Sequence, residues 1–160
     1  CQQTWPAIIT NMPGSPMKVV LDSDALIALL HGGDALADRA QRTLDKLTDL
    51  GAELICPAST FAEVATTMQR KLSNGQLAAD IVDILLAGDI DIAPIDAALL
   101  QQAAKLYSPT GSKQHTFFDA LVLAVAKSVK ADAIFSFDKW YVGQGMQLAE
   151  NLSASQTQAQ

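Results

Sequence analysis

Lys18-Val19-Val20-Leu21-Asp22-Ser23-Asp24-Ala25-Leu26 is the stretch on which the fold turns. Lys18 leads into an apolar run rich in β-branched residues, Val19 to Leu21, that stops abruptly at an acid, and helical spacing follows from Ala25 to Leu30. A strand without polar alternation is covered on both faces, which is the signature of a parallel sheet. The pattern then recurs along the chain. Asp34 to Leu50 reads as a second helix ended by Gly51, and Glu53 to Cys56 as a short buried strand closed by Pro57. Phe61, Val64, Ala65, Met68 and Leu72 give helical spacing that Asn74-Gly75 breaks, and Ile81 to Leu86 give another helix ended near Gly88. Ile90 to Ala93 reads as a strand, Asp96 caps a helix through Leu106, and 108–113 form a loop. Leu121 to Val129 carry the last long helix, and Ala133 to Ser136 a further strand. Strands alternating with helices predict an α/β fold, a central parallel sheet of four to five strands flanked by helices on both faces.

Composition narrows the function classes. The chain has 160 residues, of which 49% are hydrophobic and 18% charged, enough apolar material for one packed core. Its 17 acidic and 11 basic residues leave a net charge of -6, which argues against a basic nucleic-acid coat protein or a polybasic membrane module. Cys1 and Cys56 alone make neither a disulfide scaffold nor a Cys-rich zinc site. No apolar run approaches the roughly 20 residues that span a bilayer, so a cytoplasmic, membrane-free protein is expected. Residues 1–16 hold three prolines and no charge, and read as leader, read-through or expression-derived sequence. The domain is expected over 17–150, with a polar tail over 151–160.

The acids are unevenly placed. In an open parallel α/β sheet a site forms at the carboxyl ends of the strands. Asp22 ends the first strand and Asp138 follows the last, so the two come from opposite ends of the chain to one sheet edge. Glu63 and Asp119 each fall in what reads as the first turn of a helix, on apolar faces where a carboxylate is expensive to desolvate. Four carboxylates converging on one pocket repel, and must either protonate or hold cations. Hard oxygen donors without His or Cys suit Mg²⁺ or Mn²⁺, one or two ions, which activate water for in-line cleavage of a phosphodiester. Ser136 is placed to orient a carboxylate. Each residue also has a plainer reading. Thr60-x-x-Glu63 has the form of a capping box, Thr116-x-x-Asp119 resembles one, and Asp24 reads as the N-cap of the first helix before it reads as a supporting ligand. His115 reads as a loop or capping residue, and His31 as the end of the first helix. Lys113 and Lys139, and less directly Arg70 and Lys71, are candidate phosphate-positioning cations.

Taken together, VVLDSDALIALL, STFAEVATTM, HTFFDALVLAVAK and AIFSFDKWY resemble, in order and spacing, the four motifs of the PIN domain, especially those of VapC-type toxin ribonucleases. The resemblance covers about 17–150. It implies a divalent-metal-dependent endoribonuclease acting on single-stranded RNA, leaving 5′-phosphate and 3′-hydroxyl ends. Asp22, Glu63, Asp119 and Asp138 would be its catalytic and metal-binding acids. It also implies a homodimer and a VapB-like antitoxin partner. Solitary PIN nucleases and non-catalytic PIN-fold binding modules share the fold. A strand followed by Asp22-x-Asp24 is also similar to haloacid dehalogenase-like phosphatases, but the later acidic pair of that family is missing here.

Overall fold

A computed structural model describes residues 16–71, 73–88 and 90–153. The expected leader, apart from Pro16, the end of the polar tail from 154, and Leu72 of the helical pattern lie outside the described residues.

The elements follow the expected alternation. They are β1 (Lys18–Leu21), α1 (Ser23–Leu30), α2 (Ala37–Asp49), β2 (Glu53–Pro57), α3 (Ala58–Arg70), α4 (Gly75–Ala87) and β3 (Asp91–Ala93). After them come α5 (Ala97–Leu106), α6 (Phe117–Ser128), β4 (Ala133–Phe135), α7 (Trp140–Gly143) and a 3₁₀ turn at Ala149–Asn151. All strand pairs are parallel and the sheet order is β3-β2-β1-β4. Among the described residues, the expected range of four to five strands resolves to four. A lone parallel bridge between Ile134 and Leu148 continues the sheet by one residue pair.

Both faces of the sheet are covered, which explains why β1 shows no polar alternation. Val19 and Leu21 point into a core shared with α1, α2 and α3 through Leu26, Leu47, Phe61 and Val64. Val20, between them, points the other way and packs with Ile55, Ile134, Val122 and Tyr141. α6 is buried along most of its length, so its run of apolar residues is core filling.

Several boundaries differ from the sequence reading, each for a local reason. α1 begins at Ser23, two residues early, because Asp22 and not Asp24 is its N-cap: the Asp22 carboxylate accepts from the Ser23 N–H at 2.7 Å. α2 begins at Ala37, because the Asp34 carboxylate accepts from the Leu36 N–H and His31 accepts from the Asp34 N–H, holding a turn where helix was expected. α3 starts at Ala58, directly after β2, with Pro57 as N-cap and no side-chain cap. Thr60 is therefore no capping residue. Its buried hydroxyl instead donates to the Leu21 carbonyl at 3.4 Å and ties α3 to the end of β1. Glu63 accordingly lies in the second turn of α3, not the first. β4 stops at Phe135, because beyond it the Ser136 hydroxyl and Phe137 N–H turn toward Asp24.

The sheet order also fixes the site. From β1 the chain steps outward through β2 to β3, then returns to place β4 on the other side of β1. The switch in direction falls between β1 and β4, where open α/β sheets leave a crevice at the strand ends.

Candidate active site

Asp22 occupies that crevice. Leu21 is in register with Phe135, and the Asp22 N–H donates to the Phe135 carbonyl at 3.0 Å, so the ends of β1 and β4 are fastened together. The side chain is 4% exposed. Burial, then Asp24 and Asp119, push its carboxyl up to about 8, against the pull of the Ser23 N–H and the Ser136 hydroxyl.

Asp24 lies one helical step on and is braced on every side. One oxygen accepts from the Ala25 N–H, and the other accepts from the Ser136 hydroxyl at 3.0 Å and the Phe137 N–H at 2.8 Å. Ser136 in turn accepts from the Asp138 N–H at 3.1 Å. A chain of hydrogen bonds thus runs from α1 through Ser136 to Asp138. Asp24 holds the β4 exit loop with one oxygen and the start of its own helix with the other, which makes it a buttress. Burial raises its carboxyl, its hydrogen bonds oppose that, and Asp138 adds a further upward push.

Glu63 reaches the same region from α3. Burial raises it, Asp119 and Asp24 add to the rise, and the Ser23 side chain and Lys71 offset part of it. Asp119 sits in the first turn of α6 and does close a capping box with Thr116. Both contacts from Thr116, through its N–H and its hydroxyl, fall on the same oxygen, Oδ2. Capping therefore leaves Oδ1 uncommitted: Asp119 is the cap that the plain reading expects, and one of its oxygens has no part in the cap. Asp138 accepts from the Trp140 N–H with Oδ1, and His115 Nε2 stands 3.3 Å from its Oδ2.

The structure thus brings Asp22, Glu63, Asp119 and Asp24 within electrostatic reach of one another, and links Asp138 through Ser136 and Asp24. Of the four candidate cations, Lys71 acts on Glu63. Lys113, Lys139 and Arg70 are exposed, and no side-chain contact joins them to the acids.

Three neighbours had no part in the site as read from the sequence. Tyr141 is fully buried beneath the acids. Burial raises its hydroxyl, as do Asp22 and Asp119, yet that hydroxyl meets no partner with hydrogen-bond geometry. His115 stacks on Trp140 at 5.0 Å and touches Asp138, well beyond the loop or capping role read for it. Arg39, on α2, grips Glu150 through two nitrogens and lies 4.7 Å over the Phe137 ring, fixing the loop that carries Asp138. Only the sheet order brings these residues to the acids. Their one local cue is the position of Tyr141, three residues after Asp138.

Among the described residues, no three Asp, Glu, His or Cys side chains already stand in an arrangement that holds a metal ion. The donor chemistry nevertheless fits one. The donors are hard oxygens, and their mutual repulsion is offset by little positive charge. Mg²⁺ or Mn²⁺ would supply the missing charge.

The PIN domain family model matches residues 19–141. None of the curated proteins matches the sequence. Among solved structures, the chain is similar to Mycobacterium tuberculosis VapC20, a sarcin-ricin loop cleaving toxin. That match has a TM-score of 0.70 and 20% identity, covering 80% of this chain and 95% of that one. It is also similar to VapBC2 from Rickettsia felis, bound to a DNA fragment from its promoter (0.61, 15% identity, 82% and 97% covered). FitAcB from Neisseria gonorrhoeae is a third (0.56, 22% identity, 84% and 99% covered). At these identities the likeness is one of fold.

Proposed function

The chain belongs to the PIN domain family, generally nucleases, and from that membership we propose that it is a divalent-metal-dependent endoribonuclease of single-stranded RNA, the toxin of a VapBC-type pair. The observation that carries this reading is the meeting of Asp22, Glu63 and Asp119 at the switch point of the sheet, each from a different element and with little cation to offset them. Carboxylates crowded into a partly buried crevice repel one another, which destabilises a fold unless something binds them.

In this proposal Asp22, Glu63, Asp119 and Asp138 hold Mg²⁺ or Mn²⁺. When bound, the ions would activate water and stabilise the leaving oxygen of a phosphodiester. The protein's own contribution is positional. Asp22 keeps one oxygen on the Ser23 N–H, which fixes its rotamer at the mouth of the crevice. Asp119 is held by Thr116 through a single oxygen. Asp24, with Ser136, sets where Asp138 stands. Lys113 and Lys139, on exposed segments near the site, are proposed to meet phosphates of the incoming strand. The expected ends are a 5′-phosphate and a 3′-hydroxyl.

The toxin assignment is supported by the neighbours, among them the toxin VapC20 and a toxin-antitoxin complex from Klebsiella pneumoniae. A VapB-like antitoxin is the proposed protein partner, and a second copy of the chain the proposed assembly. No helix among the described residues is long and apolar enough to cross a membrane.

The test is direct. Purified protein is incubated with pooled cellular RNA in Mg²⁺, Mn²⁺ or EDTA, and the cut ends are mapped. Cleavage that needs the metal and disappears in Asp119→Asn, with an unchanged circular dichroism spectrum, is the expected result. Asn can still accept from Thr116, so the cap survives while the charge is lost. Full activity in Asp119→Asn, or in EDTA, would overturn the reading.

A further inference from the structure

A small cavity lies beside the acids, between the segment joining α5 to α6 and the start of α7. Its volume is about 150 Å³, and Tyr107, Ser112, His115, Thr116, Trp140 and Gln144 are among the residues that line it. Ligand pockets for drug-sized molecules run to about 300–1,000 Å³, so this one has room for a single ring system.

Its walls are aromatic and held in place. His115 lies nearly parallel to Trp140, 5.0 Å between ring centres and 20° between planes. Tyr107 is pinned edge-on by Phe117 at 5.5 Å and 86°. The segment carrying His115 is tied by its own turns, with the His115 N–H donating to the Ser112 carbonyl and the Gln114 N–H to the Ser112 hydroxyl. Hydroxyl and amide groups on Ser112, Thr116 and Gln144 add polar atoms to the aromatic faces.

Two of the lining residues also touch the acids. His115 Nε2 is 3.3 Å from Asp138 Oδ2, and Thr116 bonds Asp119. The cavity is therefore one side chain away from the acid site at two points. Unpaired bases of single-stranded RNA are bound chiefly by stacking on aromatic rings, with polar atoms at their edges. A nucleotide whose phosphate lies at the acids would bring its neighbouring base to this wall.

We propose that this cavity is a subsite for one nucleobase flanking the bond cut at the acids, with the His115–Trp140 stack as its platform. The inference rests on the ribonuclease reading above, and names how that site holds its substrate. His115 acts here through its ring face, with the contact to Asp138 setting the angle of the ring.

The experiment compares His115→Ala, His115→Gln and His115→Phe for cleavage of a short synthetic RNA containing one mapped cut site. Loss of one base stack corresponds to about a 5- to 150-fold rise in KM. That rise is expected in the Ala and Gln variants, with Phe near the wild type because it keeps a ring. In parallel, AMP, GMP, CMP and UMP are titrated against the fluorescence of Trp140. This is done in a Trp5→Phe background, where Trp140 is the only tryptophan left of the chain's two. Quenching that His115→Ala removes is expected. Rescue by Gln but not Phe would overturn the platform, since the residue would then serve only its polar contact. Metal-dependent cleavage with KM unchanged in all three variants overturns the subsite alone. Quenching by nucleotides without any cleavage of RNA supports the subsite and overturns the ribonuclease reading.

Discussion

Asp22 has two roles that conflict when no cation is bound. Its oxygen caps α1, which favours the charged form, while burial and the neighbouring acids hold its carboxyl up to about 8. Between the ordinary carboxylate range and that value, the native protein keeps a proton that the unfolded chain has released. Metal-free protein therefore loses stability as pH rises through this window, and loses no more from this group above it. Asp22→Asn removes the charge and keeps an acceptor for the Ser23 N–H. In urea titrations with EDTA, the wild type is expected to fall further than Asp22→Asn between pH 5 and pH 8.5, leaving the variant more stable at the higher pH. Parallel profiles would show that Asp22 carries no such burden. Tyr141 offers a second check at this scale. A buried hydroxyl without a partner is destabilising by about 1–3 kcal/mol, so Tyr141→Phe is expected to melt at the wild-type temperature or above it in metal-free protein. A lower melting temperature would mean the hydroxyl is already bonded. Neither effect shows in the linear sequence, where Asp22 is one of 17 acids and Tyr141 one of two tyrosines.

At the scale of elements, helix starts connect stability to the site. α6 opens on a capping box in which Thr116 satisfies the Phe118 N–H while Asp119 accepts from Thr116. Thr116→Ala removes the cap, and a loss of about 1 kcal/mol is expected, read as a lower melting temperature. It also frees Asp119 from its hydroxyl contact, so the same variant should lower RNA cleavage without abolishing it. This box was legible because Thr and Asp three apart before an apolar run have one favoured local geometry. The equivalent pattern at Thr60 and Glu63 misled, because Pro57 starts α3 straight from the strand and moves Thr60 inside the helix. The α1 cap misled in the same way, as two acids two residues apart compete for one position and the end of β1 decides between them. Asp24 then became the anchor of the β4 exit loop, through partners more than a hundred residues away in the chain.

At the scale of the molecule, α4 bears on assembly. Ile81 is buried against the core, while Val82, Leu85 and Leu86 on the same helix are exposed, Leu86 by 78%. Adjoining apolar side chains left in water favour association, and a second copy of the chain is the proposed cover. Leu86→Glu should shift sedimentation toward monomer while leaving the fold intact, and an unchanged sedimentation coefficient would remove α4 from the interface. Alternation of apolar strands with 3.6-period helices was enough to set a parallel sheet with covered faces, since burial on both sides of a strand needs continuous apolar residues. Acids placed just after strands and in helix first turns were enough to put Asp22, Asp119 and Asp138 at that edge, because the strand ends and the α6 start fall where the pattern sets them. The sequence by itself therefore determined the class of fold and the edge where its carboxylates gather, because hydrophobic period and strand ends are local properties. Only the tertiary structure decided which acid caps and which one buttresses. It also brought His115, Tyr141 and Arg39 to the site, because those contacts depend on β4 returning to the far side of β1, and no local pattern encodes a strand order.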